Sequence, residues 1–407
     1  MSTSLAVQQQ QERPSRQELV ERARALQPLL RENAAEGELL RRLPGTVSDA
    51  LREAGMFRLL TPRRFGGYAI DLRTVIEVTE TLGEADGSAS WLVSVGSVAA
   101  WMIGHLCSAQ AQAEIFGLSH DVRAAGVSAP GSARRADGGV RISGRWSYAS
   151  GAYHADWALL AALVSDGSEE AEDEMFCVVP AKQLQLEKTW YTAGMRATGS
   201  DSWVAEDVFV PYYRTIPMST IANEMPRAGH ESLFRLPFAT VATLALVGPL
   251  LGLGKAALEL VIEKAPTKAM NGTSVSRQSE SVGVQIQIAQ AALGLRTARL
   301  HACDIAAALD EAASQGQLVT YPSCAQIRAQ LGYAAQQVLD AISVLVNVHG
   351  AGSFAESNRL QQYWRDANTA ARHADLQPVV GYEVYGKSLL GIQERISAAV
   401  SVAWKEA

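Results

Sequence analysis

Residues 190–211 read WYTAGMRATGSDSWVAEDVFVP, and the chain changes character around them. Thr198, Gly199 and Ser200 stand between an aromatic pair and a run of β-branched and aromatic residues that is typical of a strand. Small residues let a backbone approach a ligand closely, and hydroxyl and amide groups donate hydrogen bonds to its acceptors. A tight turn uses the same residue types. The stretch therefore leaves a plain turn and a ligand-binding loop both open.

Strand-like sequence extends to both sides of this stretch, over residues 119–225. Runs such as GVRISGRWSY (139–148) and HADWALLAALVSD (154–166) are rich in β-branched and aromatic residues. The sequences before and after this interval carry apolar residues at helical spacing. We therefore predict an α+β chain that is mainly α, with a disordered N-terminus at 1–16, an N-terminal helical domain at 17–118, a central β domain at 119–225 and a C-terminal helical bundle at 226–407.

The composition is that of a globular protein and argues against several classes of function. Of the 407 residues, 48% are apolar and 19% are charged, and the net charge is −6, so we expect no nucleic-acid binding. The uncharged segment 236–254 contains Gly248 and Pro249, and we expect a buried helix there and no membrane span. The four cysteines lack metal-ligand spacing and no signal peptide opens the chain, so we expect reduced thiols, no metal and a cytoplasmic protein.

Three hydroxyl-bearing turns are predicted in the β interval. Ser128 lies in VSAPG, Ser150 lies in WSYASG, and the third turn is the ATGS stretch at 197–200. Aromatic side chains flank them, and a planar, acceptor-rich ring with a phosphate tail needs a lining of this kind. The sequence has no GxSxG elbow, P-loop, HExxH or GxGxxG after a strand, so it gives little support to a hydrolase or a dinucleotide-binding dehydrogenase.

Two histidines stand near these features. For His154, in the stretch after Ser150, a structural role and contact with a substrate are both open. His373 follows Arg365 by eight residues, at the end of a helix that we expect Pro378 to terminate or kink. A lone helical histidine is more often structural, so the sequence pattern alone does not assign His373 to a reaction.

The order of helices, strands and helices, together with five short motifs, resembles the acyl-CoA dehydrogenase superfamily. The motifs are VSAPG (127–131), WSYASG (146–151), MRATGS (195–200), GAGSF (350–354) and YWRDA (363–367). The resemblance runs from about residue 17 to the end of the chain. It implies an N-terminal helical domain, a central β-barrel or sandwich, a C-terminal four-helix bundle, a flavin held between the last two, and a homotetramer.

The catalytic carboxylate of the dehydrogenases is missing. Its two usual places in that family fall on Ala374 and Val241. Removal of an α-proton from a thioester needs a positioned base, so the sequence disfavours an acyl-CoA dehydrogenase, which stays an alternative.

The chain instead resembles the two-component flavin-dependent monooxygenases of the same fold, the group D hydroxylases. This resemblance implies an oxygenase component that uses reduced flavin (FADH2 or FMNH2) and O2, through a flavin C(4a)-hydroperoxide, to hydroxylate an aromatic substrate: a phenol, an indole or a polycyclic natural product. It also implies a separate NAD(P)H:flavin reductase. An N-oxygenase of the amino-sugar nitrososynthase type is the other alternative.

The resemblance implies roles for particular residues. His373 and Ser150 are the expected catalytic residues, and no metal ligands are expected. Many relatives have a histidine where this chain has Ala99, which leaves the role of His154 open. The expected cofactor-binding residues are Ser128, Trp146, Tyr148, Ser150, Thr198, Gly199, Ser200, Arg277 and Gly350, and the expected substrate-binding residues are Trp101, His154 and Phe238.

Overall fold

The N-terminal third of the chain is helical. The computed structural model describes residues 13–117, 119–165, 173–222 and 231–397, without 393 and 395. Ser15 caps the first helix by accepting a hydrogen bond from the Glu18 N–H, and Asp86 caps the fourth in the same way. The helices are α1 (Arg16–Leu40), α2 (Gly45–Glu53), α3 (Leu72–Gly83), α4 (Gly87–Leu106) and α5 (Ala109–Phe116).

A seven-stranded mixed sheet follows, with strand order β5-β6-β2-β1-β3-β4-β7. The β1–β3 pair is parallel and the other pairs are antiparallel. The strands are β1 (Ala124–Ala136), β2 (Gly139–Trp146), β3 (Trp157–Val164), β4 (Asp173–Pro180), β5 (Gln185–Glu187), β6 (Ser202–Pro211) and β7 (Thr215–Pro217). VSAPG was predicted to end a strand, but β1 runs through it with an irregularity between Val127 and Gly131.

The chain then returns to helices. The sequence predicts breaks in these helices near 266–280, 314–322 and 350–356, and the structure has them there, between α8 and α9, α9 and α10, and α10 and α11. Pro378 does not end the helix of the YWRDA motif, because it is the first residue of α12, where its missing N–H costs nothing. These helices are α6 (Met218–Ala222), α7 (Phe238–Ala245), α8 (Val247–Lys264), α9 (Val282–Gln315), α10 (Tyr321–His349), α11 (Arg359–Ala370) and α12 (Pro378–Leu389).

Two hydrophobic cores meet at the sheet. Along β3, Leu159 and Ala161 belong to the core shared with the helices, whereas Leu160 and Ala162 belong to the core of the β region. This alternation follows from the two-residue period of a strand. Because β3 is buried on both faces, its sequence WALLAALV is apolar almost throughout.

Burial inside the protein also explains the most apolar helices. Three helical segments of the described chain are long and apolar enough to cross a membrane, but 89%, 83% and 61% of their most apolar windows are buried. They are Gly87–Leu106, Phe238–Lys264 and Tyr321–His349. The predicted burial of segment 236–254 is therefore confirmed, since most of its residues lie in the helical core.

The predicted fold class is confirmed: the chain is mainly helical, with the strands in the middle. Of the predicted disordered segment, residues 1–12 lie outside the described residues. Its last residues take part in structure, because Arg16 begins α1 and its guanidinium lies 3.0 Å from the Asp71 carboxylate. The division into domains at 17–118, 119–225 and 226–407 remains a prediction.

Candidate active site

The turn after β2 lies against the loop before β6. The Ala149 N–H donates to the Asp201 carbonyl over 3.1 Å, and the Gly151 N–H donates to the Thr198 carbonyl over 2.9 Å. Gly151 (φ 84°) and Gly199 (φ 55°) have left-handed backbones, which glycine adopts without a steric penalty. These two backbone bonds bring the second and third predicted hydroxyl turns together.

Three hydroxyl groups form a chain at this junction. Thr198 Oγ1 lies 2.6 Å from Ser200 Oγ, and Ser200 Oγ lies 2.8 Å from Ser150 Oγ. Thr198 Oγ1 also donates to the Met195 carbonyl over 2.8 Å. Thr198 and Ser200 are buried, and Ser150 is half-buried at the open end of the chain. The structure thus brings together three of the predicted site residues, of which Ser150 and Ser200 are 50 positions apart in the sequence.

Asp201 fixes the aromatic segment that precedes this loop. Its carboxylate accepts the N–H groups of Thr189 (2.6 Å) and Trp190 (2.7 Å) and the hydroxyl of Tyr153 (2.7 Å). Burial, followed by the bond to Asp201, raises the pKa of Tyr153 to about 12, so Tyr153 remains a hydrogen-bond donor at neutral pH. Tyr148, at φ 64°, packs its ring edge-on against Trp190 at 6.0 Å.

Helix α11 holds the other side of the loop. Asp366 accepts the Met195 N–H over 2.5 Å, and Arg365 donates to the Ala193 carbonyl. A Cβ at Gly194 would come within 2.2 Å of the Arg365 carbonyl oxygen, so only glycine allows this approach. Burial raises the pKa of Asp366 to about 8, and the Met195 bond opposes that shift only in part.

His373 lies just after the end of α11. Its Nδ1 accepts the Asp375 N–H over 3.2 Å, so a neutral ring carries its proton on Nε2 and can donate from there. Burial and the nearby Arg328 lower the pKa of His373, and Asp375 acts in the opposite direction. At neutral pH the ring is therefore neutral. Its side chain keeps 42% of its surface exposed.

Helix α4 connects His373 with the hydroxyl chain. The Trp91 ring contacts the His373 ring edge-on at 5.8 Å. The side chain of the next residue, Leu92, lies 3.3 Å from the place that a Cβ on Gly151 would take. Two consecutive residues of this buried apolar helix thus pack against His373 and against the turn that contains Ser150.

Arg277 and Gly350 are brought together in a second region. Gln278, the neighbour of Arg277, donates to the Val348 carbonyl over 2.5 Å at the end of α10. The Lys268 ammonium lies 3.2 Å from His349 Nε2. Gly350 (φ 77°) has nothing within 4 Å of the place of a Cβ, and the Arg277 side chain is exposed. Lys268 therefore lies beside the open glycine turn, and Arg277 directly precedes a residue that is bonded to the end of α10.

Several predicted site residues have other roles in the structure. Trp146 has no exposed surface and donates to the Ala161 carbonyl over 2.8 Å inside the β core, so it cannot touch a ligand directly. His154 was an expected substrate contact, but its Nε2 lies 3.0 Å from the Leu43 carbonyl, which tethers the turn to the N-terminal helices. Ser128 is exposed on the irregular part of β1, outside the hydroxyl chain.

The two aromatic residues predicted to bind substrate pack together. Trp101 is fully buried, and its ring lies 5.7 Å from the half-buried Phe238 and 5.8 Å from Phe234. Trp101 therefore supports Phe238 from behind and offers no surface of its own, which corrects the predicted contact. Phe238 keeps an exposed part and remains a candidate.

The structure also shows the positions where a dehydrogenase would have its carboxylate. Val241 is buried in α7, and Ala374 directly follows His373. The adjacent acid, Asp375, has its carboxylate 3.8 Å from Arg328 and 3.8 Å from His373 Nδ1. No carboxylate is therefore provided at either position.

Sequence reasoning missed the residues that hold the site together. Met195, Asp201, Asp366, Trp91 and Leu92 contribute backbone groups, buried bonds or packing. Asp366 lies in the quoted YWRDA motif and Met195 begins MRATGS, so the motifs contained a signal. Only their contact in space shows what the two residues do. Within the described ranges, no group of three metal-binding side chains could hold a metal ion.

Comparisons with known proteins show which family the chain resembles. The family models "Acyl-CoA dehydrogenase, N-terminal domain" and "Acyl-CoA dehydrogenase, C-terminal domain" match residues 12–117 and 244–378. The flavin-dependent monooxygenase oxygenase subunit HsaA of Rhodococcus jostii strain RHA1 is 30% identical, over 92% of this chain and 98% of that protein. The FADH(2)-dependent resorcinol hydroxylase oxygenase component of Rhizobium sp. strain MTP-10005 is 29% identical, over 93% and 95%.

A solved structure is also similar. XiaF from Streptomyces sp., in complex with FADH2 and glycerol, superposes with a TM-score of 0.89 at 37% identity, over 94% of this chain and 97% of that one.

Proposed function

Because this chain belongs to the acyl-CoA dehydrogenase family, in the branch of flavin-dependent monooxygenase oxygenase components, we propose that it hydroxylates a small aromatic substrate with reduced flavin and O2. The hydroxyl chain that ends at Ser150 carries this proposal, and helix α4 packs against both the Ser150 turn and His373. The similar proteins include a resorcinol hydroxylase and an indole-3-acetate monooxygenase, which supports an aromatic ring as the substrate class.

The residues of the β turn suit a flavin ring. Ser150 and Gly151 offer a hydroxyl and a half-buried glycine backbone, and Tyr148 adds an exposed aromatic face. Such a mixture of small and aromatic residues lets a flat heterocycle lie against backbone groups. Reduced flavin, when bound, would supply the two electrons that activate O2, one atom of which is transferred to the substrate while the other leaves as water. The protein residues orient the ring, exclude water and hold protons.

His373 is proposed as the donor on the substrate side. Its Nε2–H is the free donor of a neutral ring, because Nδ1 already accepts the Asp375 N–H. The Trp91 ring packs edge-on beside it and fixes one side of the imidazole. A positioned donor or acceptor of this kind typically contributes about 10²–10⁴-fold to a rate.

Arg277, Lys268 and Gly350 are proposed to bind the phosphate tail of the flavin. Arg277 has an exposed guanidinium, and such a group binds phosphate oxygens in a bidentate manner. No Cβ at Gly350 blocks the approach of a phosphate. The region lies at the bundle end, so we propose that it serves the flavin of a neighbouring subunit.

A homo-oligomer, proposed to be a tetramer, is supported by the surface of α9. Its exposed apolar residues Val282, Ile286, Leu293 and Leu300 are spaced four, seven and seven positions apart. This spacing puts them on one face of the helix, and an apolar face of such length needs a partner surface.

A separate NAD(P)H:flavin reductase completes the proposed system, because the sequence has no dinucleotide-binding fingerprint. We also infer a cytoplasmic location, in keeping with four free, buried cysteines.

The test supplies reduced FAD or FMN from a separate reductase to the purified protein, with resorcinol, indole-3-acetate and other phenols and indoles. A product heavier by one oxygen atom, labelled from ¹⁸O₂, is the expected result by mass spectrometry. Turnover with NADH and oxidised flavin but no reductase would contradict the two-component proposal. Dye reduction by an acyl-CoA without O2 would identify a dehydrogenase instead.

A further inference from the structure

The hydroxyl chain of the candidate site has a direction. A hydroxyl group has one proton to donate, whereas a carbonyl oxygen has none. The Met195 carbonyl, 2.8 Å from Thr198 Oγ1, can therefore only accept the Thr198 proton. It also accepts the Trp190 Nε1–H over 2.9 Å and the Thr198 backbone N–H over 3.2 Å, so three donor groups converge on this one oxygen.

The direction passes from one hydroxyl to the next. With its proton on Met195, Thr198 can only accept in the 2.6 Å contact with Ser200, so Ser200 donates there. Ser200 has then used its proton and must accept in the 2.8 Å contact with Ser150, so Ser150 donates to Ser200. The outer end of the chain is left with lone pairs on Ser150 Oγ and no proton to donate.

The starting carbonyl is held in place by α11. Met195 has a left-handed backbone (φ 52°, ψ 32°), which a residue with a Cβ keeps only when its surroundings fix it. Asp366, 2% exposed, accepts the Met195 N–H over 2.5 Å. Thr198 and Trp190 hold the carbonyl at the other end of the same residue. Met195 is thus bonded at both of its backbone polar groups.

We propose that Thr198, acting through Ser200, makes Ser150 a hydrogen-bond acceptor, and that the site thereby selects reduced flavin over oxidised flavin. The N5 atom of reduced flavin carries a proton and donates, whereas N5 of oxidised flavin only accepts. A Ser150 oxygen without a free proton bonds the first and not the second. This inference rests on the proposed function, which places the flavin ring against Ser150. Thr198 is a positioning residue in this arrangement, since it acts through Ser200 and Ser150.

The test compares the dissociation constants of reduced and oxidised flavin, measured by anaerobic titration for FAD and for FMN. The wild-type protein is expected to bind the reduced form more tightly. Thr198→Val removes the hydroxyl at nearly constant shape and frees Ser200 and Ser150 to reverse. The preference should then fall by about tenfold, the value of one hydrogen bond. Thr198→Ser keeps the hydroxyl and should keep the preference.

Two further variants distinguish a loss of the hydrogen-bond direction in the hydroxyl chain from a general disturbance of the loop. Thr192→Val removes a hydroxyl of the same loop that donates to the Gly194 carbonyl over 2.9 Å, outside the chain, and should leave the preference unchanged. Ser200→Ala breaks the chain one link nearer to Ser150 and should act like Thr198→Val. It serves as the test variant if Thr198→Val does not fold.

Each outcome is informative. Equal affinities of the wild-type protein for the two flavin forms, or an unchanged preference in both Thr198→Val and Ser200→Ala, would overturn the directed chain while leaving monooxygenase turnover intact. If the wild-type protein binds neither flavin form and makes no oxygenated product, the proposed function fails together with this inference.

Discussion

Met195 and Ser150 show how single residues define this site. Met195 adopts a backbone conformation that is unfavourable for a non-glycine residue by about 1–2 kcal/mol, and bonds from Asp366, Trp190 and Thr198 offset that cost. Ser150 is the half-buried end of the hydroxyl chain that begins there. The chemistry proposed for Ser150 therefore depends on a strained, buried residue at the other end of the hydroxyl chain.

Ser150→Ala should raise the amount of H2O2 released per O2 consumed. The variant loses the oxygen that is proposed to accept a hydrogen bond from the flavin ring, so the proton on flavin N5 is held less well. Protein stability should change little, since the hydroxyl is half-buried at a turn. Peroxide and product are measured in the same reaction. An unchanged ratio of peroxide to O2 would remove Ser150 from the mechanism.

His373→Ala should leave the melting temperature and flavin binding close to those of the wild-type protein, while hydroxylated product per O2 falls strongly. The ring makes only one hydrogen bond within the described part of the chain, from the Asp375 N–H, and keeps much of its surface exposed. A histidine whose role was packing would instead cost about 1–3 kcal/mol of stability on removal. Full coupling of O2 use to product in this variant would contradict the assignment.

Helix α11 is the element that joins the two halves of the site. Its Arg365 and Asp366 hold the loop of the hydroxyl chain, and His373 follows its last turn. Arg365 is itself paired with Glu38 of α1 at 2.6 Å. The N-terminal helices, the β loop and the bundle therefore meet at this one helix. Any shift of α11 would move His373 and the Thr198 loop together.

Asp366→Asn should change the pH dependence of stability. The pKa of Asp366 in the folded protein, about 8, is above its ordinary value of 3.8. Between these values the folded protein binds more protons than the unfolded chain, so Asp366 destabilises the fold progressively as pH rises, by up to about 1.4 kcal/mol per pH unit. The variant lacks this slope. In urea unfolding from pH 5 to 8, the free energy of unfolding of the variant should therefore rise relative to that of the wild-type protein as pH increases.

Asp310→Asn is the matched comparison, because burial raises the pKa of Asp310 only to about 6. Asp310→Asn should change the slope of the unfolding free energy against pH only up to about pH 6. Asp366→Asn should change that slope up to about pH 8. Identical slopes for the wild-type protein and Asp366→Asn above pH 6 would show that Asp366 does not carry this proton.

The molecule as a whole is organised around a buried helix and an uncovered one. Helix α4 is buried almost throughout, and its residues Trp91 and Leu92 pack against His373 and the Ser150 turn. Helix α9 instead shows a row of exposed apolar residues on one face. The inner helix forms the wall of the site, and the outer one is where we expect another copy of the chain.

Leu293→Glu combined with Leu300→Glu should reduce the oligomer mass measured by light scattering, because two charges would be placed on the α9 face. Flavin binding should weaken in parallel if Arg277 and Lys268 serve a neighbouring subunit. Leu39→Glu is the control, since Leu39 on α1 is 85% exposed, against 63% for Leu293, and lies outside that face. An unchanged mass in the double variant would reject this interface.

Local sequence predicted much of the fold and part of the site. Periodicity identified the helical and strand intervals, and turn chemistry identified Ser150, Thr198 and Gly199, because these signals depend on neighbours in the chain. Trp146, Trp101 and His154 were assigned to ligands, yet the structure uses them for packing or for a tether. An aromatic or histidine side chain has the same local pattern in either role, so only its surroundings in space separate them.

The sequence by itself determined the order of elements, the hydroxyl groups available and the absence of a carboxylate at Ala374 and Val241. The tertiary structure alone decided how these groups act. The contacts from Asp366 to Met195 and from Ser200 to Ser150 join residues 171 and 50 positions apart. The direction of a hydroxyl chain depends on which carbonyl receives its first proton. That carbonyl is fixed by packing between distant elements, a relation that no local sequence pattern contains.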